Sequence, residues 1–238
     1  MIEQGLVVKP EFENLSKYLE FGERTKGNKE LERIVEKING VTEGLTIREL
    51  LLWMNRNTTR IHNKHDNRKF KRNAVEILLS RERTGCCDSS TLFTALARTK
   101  NIPTMQIITF NKEEPNNGHF FTGCYLKNKE GKGEWVLIDT DSPIKDVRDV
   151  VLLKLNKEKR NIDRRYYAYA YVNDYANVEY EGIKMDCISN LVRIQRRVYE
   201  QCDKKILKKS IIENNKYTTK NLGSMKLLRF VFLKILSF

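Results

Sequence analysis

The sequence predicts an α+β protein in which helices come first and a mostly antiparallel sheet follows. Three observations carry that expectation. Apolar residues recur at helical spacing up to about residue 100, the period becomes strand-like after Pro103, and a short glycine-containing turn joins two of the strand candidates. At 238 residues the chain is ample to bury a core. Its 40% hydrophobic and 32% charged residues are the balance of a globular protein, and no uncharged apolar run of about 18 residues offers a membrane span. Collagen, coiled coil and integral membrane protein are excluded as classes.

Taken in order, Leu31, Ile34, Val35 and Ile38 predict a helix over about Lys29 to Lys37, with Gly40 able to stop it. Thr46-Ile47-Arg48-Glu49 has capping-box spacing, with Leu45 and Leu50 as a hydrophobic staple, and predicts the start of a second helix containing Leu51, Trp53 and Met54. After a basic connection, Phe70, Ala74, Val75, Ile77 and Leu78 predict a third, ending before Thr84-Gly85. A loop then feeds a helix apolar at Leu92, Phe93, Ala95 and Leu96. Asp88, Ser89 and Ser90 are placed to satisfy its first-turn amides, and Asn101 with Pro103 marks its end. Strands are expected over Met105 to Phe110, Phe120 to Leu126 and Trp135 to Asp139. One or two more are expected within Asp149 to Leu155 and Arg164 to Tyr175, before a helix with Ile188, Leu191, Val192 and Val198.

The net charge of +13 is unevenly spread. From Ser189 onward twelve basic residues stand against three acids, a surplus of nine, so the preceding 188 residues carry only +4. Part of that is the run from Arg56 to Arg72, which contains His62 and His65. These two histidines lack a third ligand nearby, and nothing matches a phosphate-binding or calcium-binding loop, so neither a metal nor a cofactor is expected. The five cysteines are odd in number with no CxxC pair, and Cys86 and Cys87 could join only as a strained vicinal disulfide. The opening MIEQGLVVKPEFEN has acids at Glu3, Glu11 and Glu13 and no apolar core, which argues against a secretory signal. A cytoplasmic, reducing location is the expectation.

Three features line up: Cys86 at the entrance of an apolar helix, His119 at the start of a strand and Asp139 at the end of the next. A helix N-terminus stabilises a thiolate, and adjacent antiparallel strands can set a histidine and an aspartate side by side facing that helix. This is the arrangement that a Cys-His-Asp triad requires.

These residues resemble the transglutaminase-like superfamily, whose members share a papain-like core. Cys86, Asp88, Ser90, Leu92, Phe93, Ala95, Leu96, Arg98, Ile102 and Pro103 match its nucleophile helix in register, with Asn101 where glycine is usual. Gly118-His119-Phe120-Phe121 matches the histidine strand, and Trp135-Val136-Leu137-Ile138-Asp139 the aspartate strand. The usual glycine two positions before the cysteine is Thr84, with Gly85 in between. Register selects Cys86 over Cys87, since a shift of one residue turns a helical side chain by about 100°. Asp141, on the same strand face as Asp139, is the rival orienting residue. Trp53 can be read as an oxyanion donor or as core on the second helix, and the core reading is favoured.

The resemblance implies a papain-like core, its nucleophile helix packed on the sheet, spanning 1–188 with motifs over 84–141 and a helical part over 28–83. It also implies acyl transfer on protein or peptide amides, with Cys86 as nucleophile, His119 as base and acid, Asp139 fixing the imidazole, and the Cys86 amide plus one upstream donor holding the oxyanion. Hydrolysis, as in a peptidase or amidase, is expected over transfer to an amine, as in a transglutaminase. A module that only binds, with its basic tail on an anionic membrane or nucleic acid, is the competing class. Residues 189–238 are read as a basic extension ending in the apolar MKLLRFVFLKILSF, too short to span a bilayer. This end is expected to lie on a membrane surface or a partner or to dock on its own domain, with a solvated basic linker before it as the alternative.

Overall fold

The computed structural model describes residues 6–61, 66–128, 130–155, 157, 160, 162, 165–204 and 207. His62, His65 and the apolar terminal segment lie outside these residues. The first helix, α1 (Lys29–Glu36), is capped by the Asn28 side chain, which accepts from Leu31 N. The second, α2 (Glu43–Asn57), opens earlier than expected, because Thr42 rather than Thr46 is its cap. Thr42 Oγ1 accepts from Leu45 N, while the Thr46 hydroxyl lies inside the first turn, donating to Thr42 O and accepting from Gly40 N. The helix thereby gains a turn, and the capping-box spacing at Thr46 is not used.

Strand β1 (Thr59–Arg60) pairs in parallel with β2 (Glu82–Arg83), and α3 (Ala74–Ser80) lies between them in sequence. A true capping box starts α3, with Asn73 and Glu76 exchanging side-chain and backbone bonds. Phe70 therefore falls outside the helix, contrary to the periodicity. It takes a left-handed φ of 65° and turns its ring onto Phe120 and Tyr175.

Helix α4 (Cys86–Thr99) is the centre of the molecule, buried from Cys87 through Arg98. It ends as the sequence predicts. Asn101 is left-handed at φ 58°, Asn101 N donates to Arg98 O and Ile102 N to Ala97 O, the paired bonds that close a helix C-terminus. Leu92, Phe93, Ala95 and Leu96 pack with Leu31 and Val35 of α1, with Ile47, Leu50, Leu51 and Met54 of α2, and with Ile77 of α3. Each large side chain fully buried in this way contributes about 1.5–3 kcal/mol of transfer free energy.

The sheet contains β3 (Thr104–Asn111), β4 (Gly118–Lys127), β5 (Gly133–Ile138), β6 (Leu153–Lys154) and β7 (Tyr166–Val172). Its order is β6-β5-β4-β3-β7 and every pairing is antiparallel. The β4–β5 turn is held by Asn128, whose side chain accepts from Glu130 N and Lys132 N, and Gly131 supplies the positive φ of 78° that the turn needs. Alternation along the strands separates two faces. Cys124, Leu126, Val136 and Ile138 join the helical core, whereas Met105, Ile107, Phe121, Trp135 and Leu137 face Leu6, Phe12, Leu15 and Tyr18 of the N-terminal arm. A small hairpin, β8 (Glu179–Tyr180) with β9 (Ile183–Lys184), precedes α5 (Ile188–Gln201). Ile194 and Val198 of α5, then Cys202 and Leu207, pack against Phe110, Phe120 and Tyr169. The packed chain thus continues past residue 189. Among the described residues no helix is long and apolar enough to cross a membrane.

Candidate active site

Cys86 is the first residue of α4, and the turn that delivers it depends on Gly85. Its φ of 151° and ψ of −166° lie in a region that only glycine occupies readily, and it caps the helix without a side chain. A Cβ there would meet only Lys69 Cε, at 3.8 Å, so the obstacle to substitution is backbone strain rather than space. Gly85→Ala is expected to cost about 1–3 kcal/mol, readable as a lowered midpoint in denaturant unfolding.

Asp88, Ser89 and Ser90 do not cap the first-turn amides as the sequence suggested. Asp88 Oδ2 accepts from Thr84 N and Thr84 Oγ1, each at 2.7 Å, and pairs with Arg72. Ser89 Oγ donates to Asp141 Oδ1, and Ser90 Oγ lies 3.2 Å from Thr122 Oγ1. The helix start beside Cys86 therefore has no side-chain cap, which leaves its amides to face a developing negative charge. The neighbouring thiol is of another kind. Cys87 is 3% exposed within the α5-side core, and burial, with the adjacent charges of Asp88 and Cys86, pushes its thiol well above the ordinary range. Cys86, by contrast, is only partly buried.

His119 is set by the β3–β4 ladder, where it pairs with Thr109 and its carbonyl accepts from Thr109 Oγ1 at 2.8 Å. The preceding residue must be glycine, since a Cβ on Gly118 would fall 2.5 Å from the Thr109 carbonyl oxygen of the paired strand. The imidazole meets the Phe121 ring edge-on at 4.7 Å between centroids and lies 5.5 Å from Tyr166. Its Nε2 is 2.8 Å from Asp139 Oδ1, and Cys86 is near enough for its charge to act on the ring, which leaves Nδ1 as the nitrogen not engaged by Asp139. Burial lowers the imidazole pKa, but the Cys86 charge, the hydrogen bonds to Asp139 and Cys86 and the Asp139 charge together outweigh it and raise the value to about 11. For Asp139, burial raises the pKa and is outweighed by the hydrogen bond and charge of His119, with help from Asp141 N and Ser142, so the carboxyl sits below its usual range.

The structure thus brings Cys86, His119 and Asp139 together. Asp141 is engaged elsewhere, with Arg60 at 2.6 Å and Ser89 at 2.8 Å. Trp53 packs beside α1, lining a cavity of about 440 Å³ with Glu30, Arg33, Ile34, Lys37 and Ile38. Tyr166 and Gln195 were not singled out from sequence, because neither lies in a motif that marks a site. Their only signals were a tyrosine-rich strand and a helix seven residues into which Gln195 falls.

Residues 32–140 match the family model of the transglutaminase-like superfamily. Among solved structures, the chain is similar to a proposed cysteine protease from Cytophaga hutchinsonii, with 16% identity and a TM-score of 0.48, over 72% of this chain and 53% of that one. The chain thus spans about half the length of that solved relative. No curated protein matches the sequence. The matched span runs from within α1 through α4 to the residue after Asp139, and over these residues the chain is similar to the transglutaminase-like superfamily.

Proposed function

We propose that the chain is a cysteine-dependent hydrolase of protein or peptide amides acting through a thioester. The observation that carries this reading is the His119–Asp139 hydrogen bond beside Cys86, which stands at the uncapped start of α4. In the first step the Cys86 thiolate attacks the amide carbonyl carbon and a carbon–sulfur bond forms. The oxyanion is held by helix-start amides, Cys86 N among them. The carbon–nitrogen bond then breaks as the His119 imidazolium gives its proton to the departing amine. Water next attacks the thioester, its proton returns to His119, and a carboxylic acid leaves with the thiolate restored. Asp139 keeps the ring oriented and stabilises its charge throughout.

Access supports water as the acceptor. Asp139 retains 37% of its side-chain exposure, so solvent reaches the edge of the site, and water needs no second binding site whereas an amine donor does. The test is incubation of the protein with a peptide mixture, with and without a primary amine, read by mass spectrometry. New carboxyl termini or deamidated side chains are expected, and they should vanish in Cys86→Ala. Amine-bearing products would make the chain a transglutaminase. No product, together with no labelling of Cys86 by a thiol-directed probe, would favour a binding module.

A further inference from the structure

Asp141 takes no part in the steps above, yet its side chain is 2% exposed and fully engaged. Oδ2 pairs with Arg60 at 2.6 Å, and Oδ1 accepts from Ser89 Oγ at 2.8 Å and lies 3.9 Å from Arg83 Nη1. Its backbone N donates to Asp139 Oδ1 at 3.1 Å, the same oxygen that meets His119. Arg60 and Arg83 are register partners on β1 and β2, and Ser89 is on α4, three residues beyond Cys86. Arg83 also donates to Thr58 Oγ1 and Ser89 Oγ and feels the charge of Asp88. Paired arginines repel, and a buried one needs an opposite charge. Asp141 supplies it, and in doing so ties three elements to one carboxyl.

Asp139 needs such an anchor. The β4–β5 ladder ends at the Thr122–Ile138 pair, so Asp139 lies past the last residue whose place the sheet fixes. We propose that Asp141 is a positioning residue, which holds Asp139, and through it the His119 ring, at a fixed place relative to Cys86. This rests on reading Cys86, His119 and Asp139 as the reacting set.

Asp141→Asn and Ser89→Ala test it in the full chain, with three readouts. These are Cys86 alkylation by iodoacetamide at neutral pH, the His119 ring titration by NMR, and thermal unfolding. Alkylation is expected to slow about tenfold or more in Asp141→Asn and about fivefold in Ser89→Ala. The His119 titration should move down from about 11, in the direction of Asp139→Asn. A lower melting temperature with wild-type alkylation and titration would overturn the proposal and leave Asp141 a purely structural residue. Should Asp141→Asn fail to fold, Ser89→Ala decides, because it changes no charge. Failure of the underlying site reading shows separately, as a His119→Ala protein that alkylates at the wild-type rate.

Discussion

Turnover of peptide amides by the His119→Ala protein is expected to fall by about 10²- to 10⁴-fold while the fold persists. The imidazole sits on the second residue of β4, where its removal takes one partner from Phe121 and Tyr166 and leaves the helical core untouched. What is lost is the positive charge that faces Cys86 in the proposed site and the proton that the leaving amine needs. The sign of the pH dependence follows from a pKa raised to about 11. Below that value His119 keeps its proton, so a step that needs the imidazolium runs across neutral pH and is lost as pH rises through about 11. Asp139→Asn keeps a hydrogen-bonding group but removes the carboxylate charge, so the loss should begin at lower pH and the drop in rate should be smaller. The kcat/KM profile of the three proteins checks both statements. A His119→Ala protein with wild-type turnover would remove the histidine from the mechanism.

Helix α4 and three central strands were legible because their residues obey local rules. Asn101 takes the left-handed turn its residue type permits, and the apolar stripe of α4 and the alternation of β3 to β5 report their own burial. The choice between Asp139 and Asp141 was not legible from parity, since residues two apart share a strand face. Their contacts separate them: Asp139 meets His119, while Asp141 meets Arg60 and Ser89. The N-terminal arm was also unreadable. Its anchors are distant in sequence: Trp135 Nε1 donates to Phe12 O, and Arg24 N to Asp174 Oδ2. An irregular strap held by such bonds has no period of its own. Phe70 shows the converse limit, for its apolar character is real but serves an aromatic cluster rather than a helix face.

Arg98→Ala is expected to destabilise the protein by about 3–5 kcal/mol. Arg98 matches the family motif, and its surroundings give it a structural task. Only 3% exposed, it donates to Thr104 O through two nitrogens, to Glu20 O at 2.7 Å, to Asn173 O at 2.6 Å and to Thr25 Oγ1 at 3.0 Å. One guanidinium thus closes the end of α4 onto β3, the N-terminal arm and the loop after β7. Burial lowers its pKa to about 10, against the charge of Asp174, so it remains a cation at neutral pH. Alanine would strand the buried Thr104 carbonyl, release the part-buried Glu20 and Asn173 carbonyls, and remove a positive charge that acts with Asp174. Lysine would keep the charge without the planar fork and should recover only part of the loss. Denaturant unfolding measures both. Arg98 lies twelve residues along α4 from Cys86, about 18 Å by helical rise, so below the melting transition Arg98→Lys should alkylate at Cys86 at the wild-type rate. His119→Ala should behave in the opposite way, stable but slow, because α4 brings a reacting group at its start and a fastening at its end, and the two are coupled only through the rigidity of the helix between them.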